Sequence, residues 1–296
     1  MAVDESVSAM VHRPSRLRAL ASLEANAESS AEALDRIARV ACRVLDVPVV
    51  LVNLIGAERQ HFVGCGASEP WASMTEMPLT AGFCPFALGA AEAFSLTDAR
   101  LDSALAVNPA VEQLGVVAYA GVPLRAADGE PIGTLCAIDY EPREWSPEDL
   151  AALSDLAASA IAELQLLAAT RQAARQRTRL KAVADLSSAL EPGLPAAEVI
   201  AEIRRVPDLA GAKDVWLQDP GAGAPEFLST RAQVRARITD RSELGSVALL
   251  PLAAGDERLG ALGIGFAEER EFSPDDREYL AALAGLAGLA LAGNRR

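Results

Sequence analysis

A segment that occurs twice constrains this chain more than any other feature. Gly133-Thr-Leu-Cys-Ala-Ile-Asp139 leads through Arg143-Glu-Trp145 to Ser146-Pro147-Glu148-Asp149. At a constant offset of 127 residues, Gly260-Ala-Leu-Gly-Ile-Gly-Phe266 leads through Arg270-Glu-Phe272 to Ser273-Pro274-Asp275-Asp276. Each copy reads as a strand, a short loop with one aromatic, and a helix start. Serine caps the first turn, proline fits the first helical position, and the acids complement the helix dipole. Pro123-Leu124 ahead of the first copy has a counterpart in Pro251-Leu252. A diverged duplication follows, and 296 residues suit two cores better than one. With 51% apolar and 23% charged residues, both copies have material to bury.

Around the repeat, local signals predict the remaining elements of the first copy. Leu34, Ile37, Ala41, Val44 and Leu45 recur at helical spacing, so Ser29 to Leu45 is expected to lay one face on a sheet. Pro48 to Ile55 and Gln60 to Gly64 read as strands joined by the hairpin Gly56-Ala-Glu-Arg59. A long loop runs through Trp71 and Met74 to Pro78, and Ala93 to Leu96, Val116 to Pro123 and Pro131 to Asp139 supply further strands. Asn108-Pro109 starts a short helix ending at Leu114.

After Ser146-Pro147 the pattern stays helical, with neither Gly nor Pro before Glu191-Pro192-Gly193. Such a helix is about 60 Å long at 1.5 Å per residue. Leu150, Leu153, Ala157, Ala160, Leu164 and Leu167 keep a 3-4 spacing that predicts a coiled-coil or bundle seam. Arg171, Arg175, Arg177, Arg179 and Lys181 interrupt the stripe, either as a solvated linker face or as a docking surface. The expected division is a disordered tail at 1–13, a first domain at 14–167, a helical linker at 168–190 and a second domain at 191–296.

Charge and cysteine usage limit the function classes. Acids outnumber bases 41 to 27, and a net charge of −14 repels phosphate backbones and anionic headgroups, which speaks against nucleic-acid and membrane partners. The longest small-apolar run, Ala281 to Gly293, is shorter than the roughly 20 residues a membrane span needs, and a cytoplasmic location is expected. Cys42, Cys65, Cys84 and Cys136 form no dense framework and no C-x-x-C pair, so reduced thiols are expected and a structural zinc is not. With only His12 and His61, a histidine triad or a multi-histidine metal site has no material.

The first copy resembles the GAF domain family, specifically a bacterial subset. The resemblance rests on Phe83-Cys84, Asp98-Ala-Arg-Leu-Asp102, Asn108-Pro-Ala-Val111, Ala118-Tyr-Ala-Gly-Val-Pro-Leu124 and Gly133 to Asp139. It covers about Arg16 to Leu167; the subset's Arg-Phe-Tyr-Ala-Gly stands here as Val117-Ala118-Tyr119-Ala120-Gly121. The second copy, about Leu180 to Gly293, resembles the family through Ser246 to Phe266 and the terminal helix, and lacks the Phe-Cys, Asp-Ala-Arg and Asn-Pro elements. What the resemblance implies is an α+β fold, two GAF-like domains each with a central antiparallel sheet flanked by helices and a cavity opposite them, joined by a long linker helix. It also implies a signalling role as a homodimer, upstream of a phosphatase, kinase or cyclase output in cis or trans, with a small molecule of unknown identity in the first domain. No cofactor is named by these residues: there is no cyclic-nucleotide signature, no cysteine beside a histidine for a bilin, and only His61 as a candidate haem ligand.

Trp71, Phe83, Cys84, Asp98, Asp102, Asn108 and Tyr119 are the candidate ligand-binding residues, the aromatics as walls and the Asp and Asn side chains as polar contacts at the lip. The competing reading makes Asp98 and Asn108 turn and cap residues. The expected function is a non-enzymatic sensor. The alternatives are a protein-interaction scaffold without ligand and an enzyme similar to the free methionine-(R)-sulfoxide reductases. The enzyme would use Cys84 as nucleophile, with Cys65 or Cys136 to resolve it.

Overall fold

The computed structural model describes residues 5–24, 27–209, 211–218, 224–238, 240–255 and 257–292. It divides into two compact units, 1–172 and 173–296. In the first, α1 (Glu5–Val11), α2 (Pro14–Glu24) and α3 (Ala27–Leu45) precede β1 (Val49–Ile55), β2 (Arg59–Cys65) and β3 (Glu76–Pro78). Then come α4 (Cys84–Leu88), β4 (Phe94–Leu96), α5 (Pro109–Leu114), β5 (Ala118–Arg125), β6 (Pro131–Asp139) and α6 (Pro147–Ala189). The six strands are ordered β3-β2-β1-β6-β5-β4, with every pairing antiparallel.

Alternation along the strands sends two sets of side chains to opposite faces. Val50, Val52, Leu54, Ala120, Val122, Leu135 and Ala137 join Leu34, Ala38 and Ala41 of α3 and Leu153, Ala157, Ala160 and Leu164 of α6 in one core. Val49, Leu51, Ile55, Tyr119, Cys136 and Ile138 face the other way and are covered by Trp71, α4 and α5.

The second unit holds α7 (Ala196–Arg204), β7 (Ala212–Gln218), β8 (Glu226–Leu228), α8 (Arg231–Arg237), β9 (Ser246–Ala254), β10 (Glu257–Phe266) and α9 (Pro274–Ala292). Its sheet order, β7-β10-β9-β8, is the first sheet's β1-β6-β5-β4 without the β2–β3 hairpin. The duplicated helix starts are reciprocal capping boxes in both units: Ser146 Oγ accepts from Asp149 N while Ser146 N donates to Asp149 Oδ2, and Ser273 and Asp276 repeat the exchange.

Three expectations change. The stripe predicted as a coiled-coil seam is used within the first unit: Leu153, Ala157, Ala160 and Leu164 are buried in its core, with Leu150 beside them and Leu167 half-buried. A sheet face presents the same apolar partner surface as a second helix, and spacing alone does not separate the two. The 168–190 stretch is not a bare linker, because Ala182, Leu186 and Leu190 are buried in the second unit's core. Within it Arg179 pairs with Asp276 and lies 4.9 Å over the Tyr279 ring, while Arg175 and Arg177 are exposed.

The tail expected to be disordered over 1–13 is helical over Glu5–Val11, with Val11 buried. Arg16 explains it. This fully buried side chain donates from Nε and Nη2 to Val11 O (2.9 and 2.6 Å) and from Nη1 to Ile55 O (2.7 Å), tying the N-terminal helices to the end of β1. Burial pushes the Arg16 guanidinium below its usual pKa. Among the described residues α6 alone is long and apolar enough to cross a bilayer by length and composition; its most apolar face is the one packed in the first core.

Candidate functional site

The site lies on the face of the first sheet opposite α3 and α6. Three neighbouring strands set its floor by register: Asn53 pairs with Thr134, Leu51 with Cys136, and Gly121 with Cys136 from the other side. Asn53, Thr134, Cys136 and Tyr119 therefore converge from β1, β6 and β5 on one patch. Gly121 is what lets Tyr119 lie flat along its own strand, because a Cβ there would overlap the Tyr119 hydroxyl and Ala87. The Tyr119 ring meets Phe83 edge-on at 5.5 Å and Phe94 at 6.0 Å.

Above the floor, the chain from Pro78 to Cys84 forms the cover. Gln60 holds it by accepting from Asn53 Nδ2 (2.7 Å) and donating through Nε2 to Ala81 O (3.1 Å). Gly82 sits at φ +145°, a conformation strained for side-chain-bearing residues, and its carbonyl accepts from Asn108 Nδ2 (3.2 Å). Asn108 also caps α5 by accepting from Ala110 N (2.9 Å). The cover delivers Cys84, at the start of α4, to a sulfur–sulfur contact of 3.7 Å with Cys136. Both thiols are buried.

Around this pair the polar groups outnumber their partners. Asn53 Oδ1, Tyr119 OH and Thr134 Oγ1 are buried without a hydrogen bond. Each such group costs about 1–3 kcal/mol in an apolar core. The Cys84 thiol is lowered to about 6, chiefly by hydrogen bonding with Cys136 against the opposing effect of burial, with weaker help from Tyr119, Thr134 and Asn53 acting as nearby dipoles. Cys136 is pushed well up by the same contact and by burial, and Tyr119 is raised by burial first and by the sulfurs next. The contact thus favours ionisation of Cys84 over Cys136. Beside it lies a cavity of about 20 Å³ lined by Gln60, Phe62, Trp71, Phe83, Cys84 and Tyr119 among others, room for one water-sized group.

Of the predicted ligand-binding residues, Trp71, Phe83, Cys84 and Tyr119 meet at this cavity. Asn108 reaches it only through the Gly82 carbonyl. Asp98 and Asp102 do not line it: Asp98 caps a 3₁₀ turn by accepting from Arg100 N and pairs with the Arg100 guanidinium, which holds its carboxyl below the usual range. Asp102 accepts from Ala104 N and Leu105 N. Trp71 donates from Nε1 to Tyr140 OH (3.0 Å). His61, on β2, faces Glu76 at 3.9 Å on the surface side of its hairpin. Of the two possible resolving thiols, Cys136 stands next to Cys84, while Cys65 is engaged with Ala67. Asn53, Gln60 and Thr134 were missed; an amide inside the otherwise apolar Val49-Val-Leu-Val-Asn-Leu-Ile55 is the signal that could have found them.

The second unit closes the same patch. Trp216, on β7 opposite Gly263, covers the position that repeats Cys136, and a Cβ on Gly263 would overlap its ring. Arg241 stacks on that indole at 4.2 Å while pairing with Asp214 at 2.9 Å.

Comparisons agree with this architecture. A family model described as GAF domain matches residues 30–164, and a second model of the same description matches 166–292. A cyclic di-GMP phosphodiesterase of Pseudomonas aeruginosa is 30% identical over 145 residues, 48% of this chain and 24% of that protein. The chain thus spans about a quarter of the length of this curated relative. Among solved structures, a bacteriophytochrome from the photosynthetic bacterium R. palustris superposes with a TM-score of 0.53 at 12% identity, covering 89% of this chain and 63% of that one, a likeness of fold. The GAF domain of an Acinetobacter phosphoenolpyruvate-protein phosphotransferase matches with a TM-score of 0.40 at 16% identity, over 54% of this chain and 99% of its own. The repeated caps, the shared sheet order and both family matches together make this chain a tandem GAF-domain protein, with two GAF domains covering residues 30–292.

Proposed function

We propose that the protein is a cytosolic, non-enzymatic sensor in which the first GAF domain takes a small effector and the second serves as scaffold or partner contact. The carrying observation is the difference at one position of a repeated frame: a cluster of unsatisfied buried polar groups in the first domain, a tryptophan plug in the second. At about 20 Å³ the closed cavity admits only a water-sized group. A larger effector would bind a conformation in which the Pro78–Cys84 cover has moved, and that differential binding is what would shift the domain. The face opposite the site packs on α6, which continues into the second core, so α6 is the element through which a change would be relayed. Beside the phosphatase, kinase and cyclase outputs that the resemblance implies, the partial relative suggests a cyclic di-GMP phosphodiesterase, acting in cis or in trans on a homodimer.

The reductase alternative would need the same opening of the cover to admit a sulfoxide, and it rests on the Cys84–Cys136 pair alone. Native mass spectrometry of protein purified from its own host tests the sensor reading. The expected result is a dimer carrying a small adduct that is lost on denaturation and absent from a Thr134→Leu, Cys136→Leu chain. An adduct-free spectrum from the wild-type chain, with partner binding intact, would leave the scaffold reading instead.

A further inference from the structure

The thiol pair carries chemistry that effector binding does not require. Cys84 and Cys136 come from different elements, lie 3.7 Å apart at sulfur, and are ringed by Asn53, Gln60, Tyr119 and Thr134, all buried. The frame itself does not need them: where β6 has Thr134 and Cys136, the repeat in β10 has Ala261 and Gly263, and the second sheet closes with apolar contacts. From this geometry we infer that Cys84 and Cys136 are a peroxide-reactive dithiol, oxidised to an intramolecular disulfide by hydrogen peroxide that reaches Cys84 when the Pro78–Cys84 cover moves.

The steps balance. The Cys84 thiolate attacks one peroxide oxygen; the S–O bond forms, the O–O bond breaks, and the departing hydroxide takes up the proton that Cys84 released, giving water. Cys136 sulfur then attacks the Cys84 sulfenic acid; the S–S bond forms, the S–O bond breaks, and the hydroxide leaves with the Cys136 proton as a second water. Two thiols lose two electrons and two protons, and one peroxide becomes two waters. The Cys136 contact lowers the Cys84 thiol, which favours the nucleophilic thiolate, and the Tyr119 hydroxyl, buried without a partner, borders the cavity beside Cys84. Forming the bond requires the sulfurs to approach from 3.7 Å to about 2.05 Å, so oxidation draws α4 and the cover toward β6.

Cys42 and Cys65 are built-in controls. Both are only half-buried, yet burial pushes both thiols up, and Cys42 donates to Gly66 O (2.9 Å). Reactivity governed by access would select them; reactivity governed by ionisation and pairing selects Cys84 and Cys136.

The experiment treats the reduced full-length chain with hydrogen peroxide, quenches in acid, alkylates, digests and maps thiols by mass spectrometry. The expected product joins the Cys84 and Cys136 peptides with the loss of two hydrogens, while Cys42 and Cys65 remain alkylated. In Cys136→Ser, dimedone should trap a sulfenic acid at Cys84. Equal oxidation of all four cysteines in the native wild-type chain, or continued full alkylation of Cys84 and Cys136 under peroxide, overturns the inference, and this arm depends on no variant. The chemistry stands apart from the sensor reading: an adduct on a chain whose thiols never couple sinks only the dithiol, and a disulfide on a chain without adduct sinks only the dissociable effector.

Discussion

The two domains repeat one frame and fill it differently, and pairing register makes the comparison residue by residue. Leu51 and Asn53 on β1 stand where Trp216 and Gln218 stand on β7; Thr134 and Cys136 on β6 correspond to Ala261 and Gly263 on β10; Tyr119 and Gly121 on β5 correspond to Val247 and Leu249 on β9. Each domain lays one aromatic over one glycine, but on different strands. In the first, the ring leaves polar groups and two thiols under a cover built from β2, β3 and α4. In the second, Val234 of α8 with Ile238 and Leu244 covers this face, and the indole occupies the floor itself. A GAF sheet face is therefore stable whether it carries a site or a plug, and the plug marks the domain that has only its frame to keep.

The plug is where this comparison breaks most visibly. Trp216→Ala should remove a large buried indole from a small core and lower unfolding free energy by about 4 kcal/mol. Urea unfolding followed by far-ultraviolet circular dichroism reads it. A loss below about 1 kcal/mol would mean that the indole is not what closes this face. Slightly smaller is the effect expected at the N-terminal clamp, which belongs to the first domain. Arg16→Met leaves the Val11 and Ile55 carbonyls buried without donors and should cost about 3 kcal/mol in the same assay. An unchanged midpoint would show that α1 and α2 contribute nothing to the first core.

Cys136→Ala sharpens the site half of the comparison by making β6 more like β10. Its thiol is the leading cause of the lowered Cys84 value of about 6, so its removal should move the midpoint of Cys84 alkylation upward by about 2 pH units, toward the ordinary thiol range. The sign follows from the thiolate being the reactive form: alkylation rises with pH through the thiol's own pKa. The midpoint, not the rate at one pH, is the proper reading, because a thiolate of higher pKa is also the stronger nucleophile. Facing Cys84 are Cys136 and Tyr119 as titratable groups and Asn53 and Thr134 as neutral ones, and no charged side chain lines the cavity, so a midpoint that stays near 6 would remove the pairing as its cause.

What the sequence revealed follows the range over which each signal acts. The Ser-Pro caps, the helix from Ser146 and the Asn108-Pro109 start are decided within a few residues, and all three stand in the structure. The floor of the site is not decided locally: Asn53, Tyr119 and Thr134 are far apart in sequence and meet only through strand order. Asp98 and Asp102 stood out because they are polar and near each other, yet proximity in sequence is what lets such side chains bond their own backbone and be spent on turns. The apolar stripe of α6 was legible as a buried face, but not what it would be buried against.

Thr134→Val should have the smallest effect and, against intuition, the opposite sign. Its hydroxyl is fully buried without a partner, and valine has nearly the same shape without the desolvation cost, so the variant should be as stable as the parent or about 1 kcal/mol more stable. The second domain already has alanine at this position, which argues that the frame has no use for the hydroxyl. If urea unfolding shows a loss of stability, Thr134 is bonded in the reduced protein and its role is structural. If stability holds or rises while disulfide formation between Cys84 and Cys136 slows, the hydroxyl is retained for the chemistry of the first domain, and the difference between site and plug reduces to a few side chains on three strands.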